Sequence, residues 1–218
     1  MLFRSRADLP WLLGAVTVGG AVAPVLLLQG LRSTSGAAAS LLLNLEGALT
    51  AAIAWWVFRE PIDRRLVLGM ALILTASALL SWSGGPLAAG SLRGPALIAA
   101  ACLGWAADNN LTRRVAHLDP RLIVVAKGLV AGTVNLALAA ATGQRLPPLA
   151  ATLAALALGL ASYGWSLTLF IVALRRLGTA RTGAWFALAP FVGAGTSVAL
   201  LGEPFTATLA AEIGRAHV

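Results

Sequence analysis

"LRSTSGAAASLLLNLEGALTAAIAWWVFREPI" occupies residues 31–62, and between Gly36 and Phe58 its single charge is Glu46. A helix rising 1.5 Å per residue needs about 20 apolar residues to cross a hydrocarbon core about 30 Å thick. The run meets that length, so an acid stands where the surroundings are otherwise apolar, small or uncharged. Composition extends the reading to the whole chain: 59% of its 218 residues are hydrophobic and 11% charged, against about 25% charged in soluble domains. The chain falls in the membrane class.

Seven apolar runs follow one another, at about 10–30, 36–58, 65–84, 94–112, 121–142, 149–174 and 180–201, with a truncated eighth beginning near Phe205. Run length and the lack of alternation predict helices rather than barrel strands. The joining segments, such as "REPIDRR", "SGGPLAAGS" and "RRLGTAR", carry the turn formers. "MLFRSRADLP" has the basic start of a signal peptide, but no cleavage site follows it and further spans do.

A net charge of +8 would ordinarily suggest nucleic acid. Here the arginines sit in short loops between apolar runs. The segments around 4–6, 59–65, 113–121 and 175–181 hold eleven of them, while the alternate side holds Arg32, Arg93 and Arg145. That asymmetry predicts a cytoplasmic N-terminus. Trp11, Trp55, Trp56 and Trp82 fall near span ends, where an indole suits the interface. Trp105, Trp165 and Trp185 lie deeper, either packed against lipid or lining a pathway. The single cysteine, Cys102, excludes an internal disulfide and reads as a small packing residue. Two histidines with no partner cluster give no metal spacing, and no cofactor is expected.

The opening stretch has a counterpart. "LRRLGTARTGAWFALAPFVGAGTSVALLGEPF", residues 174–205, also begins Leu-Arg and reaches Glu-Pro without a gap, at an offset of 143. The copies fall in the second and seventh spans, so they cross the membrane in opposite directions. The arginine asymmetry agrees, with Glu60 on the basic face and Glu203 on the other. Inverted repeats are the architecture of secondary transporters, with the substrate site between the halves near midplane.

These two stretches resemble the fourth and ninth helices of the EamA-like branch of the drug/metabolite transporter superfamily, and "GWAADNNLTRRV" (104–115) resembles its sixth. The resemblance implies two inverted five-helix repeats that export or exchange small metabolites, amino acids or drugs across the bacterial inner membrane. It places the chain from the family's third helix into its tenth, with residues 1–88 as the end of the first repeat and 89–211 as the second. The expected fold is therefore an all-α, multi-pass transmembrane bundle with both repeats incomplete. "EIGRAHV" (212–218) back-translates simply to GAGATCGGAAGAGCACACGTC, which after its first base reads as a common sequencing-library adapter. The native reading is expected to end near Ala211, leaving Arg215 and His217 without a role.

An acid in mid-span costs about 2.5–3.5 kcal/mol on insertion scales and normally faces a bundle interior or wet cavity. Glu46 thus reads either as a binder of protons or a cationic group, or as a structural acid bonded to a neighbouring helix. Asn44 accompanies it. In the repeat alignment Glu46 faces Ala189, so the acid belongs to one half, while Gly47 faces Pro190. The family pattern commonly has proline after the glutamate, and Gly47 departs from it. Gly47 and Pro190 either interrupt their helices and free carbonyls for a ligand, or allow close helix packing. Asp108 and Lys127 lie at equal depth, roughly 7–9 Å inside the same end of consecutive antiparallel helices. They are expected to pair, as a structural ion pair or as a gate, with Asn109 extending the polar patch. Gln29, Tyr163, Ser162, Ser166 and Thr168 are interhelical glue or substrate contacts, and the Glu-Pro pairs read as turn chemistry.

The partners expected are a small-molecule substrate, protons and the bilayer, with a homodimer left open and no nucleic acid. A passive channel, a membrane scaffold and an integral-membrane enzyme are the alternatives. An enzyme should concentrate acids, histidines or serines at one interface and a scaffold should carry extramembrane domains, and neither pattern is visible.

Overall fold

The computed structural model describes residues 6–34, 39, 42–83, 92–145 and 147–186. Among these the only regular structure is helical. Helix α1 (Leu9–Leu31) opens with Pro10 in its first turn, where a missing N–H leaves no bond unmade. After it come α2 (Leu45–Trp56), α3 (Arg64–Ser83), α4 (Arg93–Val115) and α5 (Pro120–Ala141). The last two are α6 (Leu149–Leu177) and α7, described over Thr179–Phe186.

Helices α1, α5 and α6 are long and apolar enough to cross a membrane by length and composition. Their outer faces carry large exposed apolar side chains, including Leu28, Leu129, Leu156 and Leu169. In a bilayer such a surface needs no cover, because lipid is as apolar as leucine. Helix α4 has 23 residues but is not among those three, since one end carries Asp108, Asn109, Asn110, Arg113 and Arg114. It is instead the central helix, packed against α1 and α2, with buried residues from Gly94 to Val115.

Helix α1 is not regular. Over Val16–Val22 it widens into a π-helical turn, and the Ala23 N–H donates to Val18 O, five residues back. Pro24 explains the disturbance: it has no N–H for Gly20 O and its ring crowds that carbonyl. The carbonyls of Gly19 and Gly20 thereby lose their usual donors. Trp105 Nε1 on α4 donates to Gly19 O at 3.0 Å, and Asn135 Nδ2 on α5 donates to Gly20 O at 3.1 Å. Buried backbone groups without water must be satisfied in this way. Helix α6 has a second π-helical turn, Gly159–Gly164. It begins 143 residues after the first, the same offset that aligns the two Glu-Pro stretches.

Contacts sort the chain into two ends. At one, Arg114 stacks over Trp11 and Phe58, with centroid distances of 5.6 and 4.9 Å. There too Arg175 donates to the carbonyls of Ala116 and Leu118, and His117 lies 3.4 Å from Asp8. Leu12, Val115, Leu118, Ile123 and Ile171 form an apolar core beneath them, joining α1, α4, α5 and α6. At the other end Gly94 at the start of α4 lies against Ser33 and Thr34 beyond α1. Arginines 113, 114, 175 and 181 share the first end.

Candidate functional site

The polar end of α4 is read by α1, α2 and α5. Asp108 is buried, and its Oδ1 accepts from Lys127 Nζ at 2.6 Å and from Thr112 Oγ1 at 2.9 Å. Room for this carboxylate comes from Gly19 in the widened turn of α1, where a Cβ would run into the Asp108 side chain. Lys127 is 4% exposed, so both charges are removed from water and each depends on the other.

One residue along α4, Asn109 Nδ2 donates to Glu46 Oε1 at 3.1 Å and to Thr50 Oγ1 at 3.2 Å. Asn110 Nδ2 donates to Thr50 O at 3.0 Å and to Ala106 O at 2.8 Å. The adjacent amides therefore grip one turn of α2, because Glu46 and Thr50 are four residues apart and share a face. Asn109 and Asn110 lie within α4 and are not end caps. Glu46 is half-buried, and among the described residues no cation lies within ion-pair distance of it.

Asn44 is buried at the turn that precedes α2. The disturbance of the helix falls there, and Gly47 lies within the regular first turn. A Cβ on Gly183 of α7 would come within 3.1 Å of Thr50 and 3.5 Å of Gly47 O, so the missing side chain of Gly183 serves close packing between α2 and α7. Among the described residues Gln29, Trp165 and Trp185 make no hydrogen bond to this cluster, whereas Tyr163 lies near enough to Asp108 to feel its charge. All four are exposed among the described residues, with Trp165 at 72% and Trp185 at 69%. Ser162 and Thr168 bond their own helix, donating to Leu158 O and Gly164 O. Pro190 lies outside the described residues.

A second polar cluster closes the arginine-rich end. The Glu60 carboxylate accepts from Thr179 N at 2.8 Å, Thr179 Oγ1 at 2.9 Å and Ala180 N at 3.3 Å, with Arg113 Nε 3.9 Å away. Glu60 thus caps the first turn of α7 with a carboxylate, where unpaired N–H groups and the helix dipole favour negative charge. The Glu60–Pro61 pair, read as turn chemistry, does lie in the turn between α2 and α3, and Glu60 caps α7 besides. Pro61 does not start the next helix; Asp63 does, its Oδ1 accepting from Leu66 N at 2.7 Å ahead of α3. Nothing in the local sequence reveals the partner of Glu60, which lies 119 residues on.

Comparison with known proteins adds the family. The model of the EamA-like transporter family matches residues 1–82 and 92–214. The chain belongs to the EamA-like transporter family. Its membrane location follows from that membership and from the apolar helices. A relative from Methanothermobacter thermautotrophicus, described as an uncharacterized transporter, is 31% identical over 206 residues. The alignment covers 92% of this chain and 60% of that protein, so the chain spans less than two thirds of the relative's length. A solved crystal structure superposes with a TM-score of 0.70 at 21% identity, covering 95% of this chain and 84% of the other. That likeness concerns the fold. In this EamA-like chain the two polar clusters lie on elements within the matched residues, with α2 and α4 common to both.

Proposed function

We propose that the protein is a secondary transporter that moves a small metabolite, amino acid or drug across the bacterial inner membrane by alternating access, its arginine-rich end cytoplasmic. In this reading the chain holds parts of two inverted five-helix repeats. The matching offset of the two π-helical turns supports that arrangement. Glu46 is the group that takes up a proton or the substrate's charge.

The observation that carries the reading is the separation of charges. Asp108 is already matched by Lys127 at 2.6 Å, whereas among the described residues Glu46 is held by the neutral Asn109 amide and by no cation. An acid held by neutral donors in a low-dielectric interior has an unmet demand for positive charge, which a proton or a cationic substrate satisfies. The acid also stands in one half of the repeat, since Ala189 occupies the aligned position. A single asymmetric acid suffices to couple one ion to one substrate.

Uptake into proteoliposomes, with ethidium and a panel of radiolabelled amino acids, tests this with and without a pH gradient. Glu46→Gln is expected to abolish gradient-driven uptake while sparing exchange. Unchanged gradient dependence would defeat the role of Glu46, and absence of any uptake by the wild type would defeat the transport reading.

A further inference from the structure

The two polar clusters are joined by a seam. On α2, Glu46, Thr50 and Ala54 follow at four-residue spacing, and Glu60 N donates to Ala54 O at 2.9 Å. Facing them on α7 are Gly183 against Thr50, and Ala180 against Ala51 and Ala54. The seam runs from the Glu46 site to the arginine-rich end and is packed by small residues that offer little contact area per turn. We propose that this seam is the path from the arginine-rich end to the Glu46 site, and that the contact of Glu60 with Thr179 and Ala180 is the latch that closes it. The proposal rests on the transport reading given above.

Two features separate this contact from an ordinary helix cap. The first is the backbone that presents Glu60. Three residues past the end of α2, Arg59 has φ 57, and among the described residues it is the sole non-glycine residue at positive φ. The bond from Glu60 N to Ala54 O, six residues back, closes a wide turn around Arg59, at a left-handed position where glycine would be the usual residue. Pro61 then restricts the backbone of Glu60. Strain of this kind persists where surrounding contacts hold it, and it concentrates at switching sites. Release of the Glu60 carboxylate removes one of those contacts.

The second feature is on the receiving side. Gly178 has φ 84, and a Cβ there would lie 3.2 Å from Glu60 Oε2. Helix α7 starts directly after this residue, so the α6–α7 corner is shaped to admit the carboxylate. A flanking pair, Arg181 and Asp63 at 3.8 Å, repeats the same bridge in an exposed position, where it adds little. Arg113 on α4 approaches from a third element. Separation of α2 from α7 therefore requires Glu60 to leave three donors on α7 at once.

The test uses Ala54→Cys as a reporter in a Cys102→Ser background, because Ala54 is fully buried beneath the latch. Membrane vesicles of both orientations are treated with a membrane-impermeant maleimide, and the exposed Arg64→Cys marks the arginine-rich face. Hydrogen bonds to a charged group are strong enough that Glu60→Ala is expected to speed labelling of the reporter by about tenfold or more. The increase is expected from the marked face alone. Thr179→Val, which removes one donor and keeps the side-chain shape, is expected to give a smaller increase on the same face. An unchanged rate in both variants would overturn the latch, and so would an equal increase from both faces, which marks a fold held up by Glu60 rather than a path closed by it. The readout needs no transported molecule, so failure of the latch and failure of the transport reading are separately visible.

Discussion

At the scale of single residues, the decisive distinction is between a charge that is matched and one that is not. Asp108 and Lys127 exchange a 2.6 Å contact in the interior, and removal of one leaves the other buried and alone. Lys127→Met is expected to lower stability by about 3–5 kcal/mol. The double variant Asp108→Asn with Lys127→Met should recover much of that loss, since no unpaired charge then remains. Thermal unfolding in detergent measures both. The exchanged pair Asp108→Lys with Lys127→Asp should recover less than the neutral pair, because the space beside Gly19 fits a carboxylate and not a lysine stem. This pairing was legible in the amino-acid sequence, because depth along two antiparallel helices needs only the rise per residue. The grip of Asn109 on Glu46 was partly legible. Thr50 was missed, although its four-residue spacing from Glu46 places it on the same face.

Among the helices, the apolar runs located the described elements to within a few residues at most ends. Length and hydropathy are properties of the local chain, so nothing remote had to be known. The interruptions were not visible in the same way. Gly47 and Pro190 were read as helix interruptions or as close-packing positions; Gly47 is helical, Pro190 lies outside the described residues, and the wide turns among the described residues occur at Val16–Val22 and Gly159–Gly164. A widened turn leaves hydrophobicity unchanged, and its signature at Pro24 becomes meaningful only beside the donors that repair it. The repair is measurable as a coupling. Asn135→Leu is expected to cost about 1 kcal/mol, the net worth of one hydrogen bond. In a Pro24→Ala background, where a helical N–H is restored to Gly20 O, the same change should cost much less. A double-mutant cycle on unfolding free energy isolates the term, and additive effects would show that the proline does not cause the widening.

For the whole molecule, the membrane class followed from composition and run length, and the family from the resemblance of the two Glu-Pro stretches and of residues 104–115 to its helices. The long-range joint between Glu60 and α7 did not, because capping by a residue 119 positions away depends on how elements fold together. The burial of Lys127 has a practical consequence at this scale. It is the single lysine among 218 residues, and it is sealed between α4, α5 and the wide turn of α1. The folded protein therefore offers solvent no side-chain amine. Amine-directed reagents such as succinimidyl esters should leave Lys127 unmodified in the native protein and modify it on denaturation, detected by mass spectrometry of the peptide that carries it. The same property closes the chain to lysine-linked tagging while it stays folded, so any cellular signal written on this residue would report that the bundle has come apart.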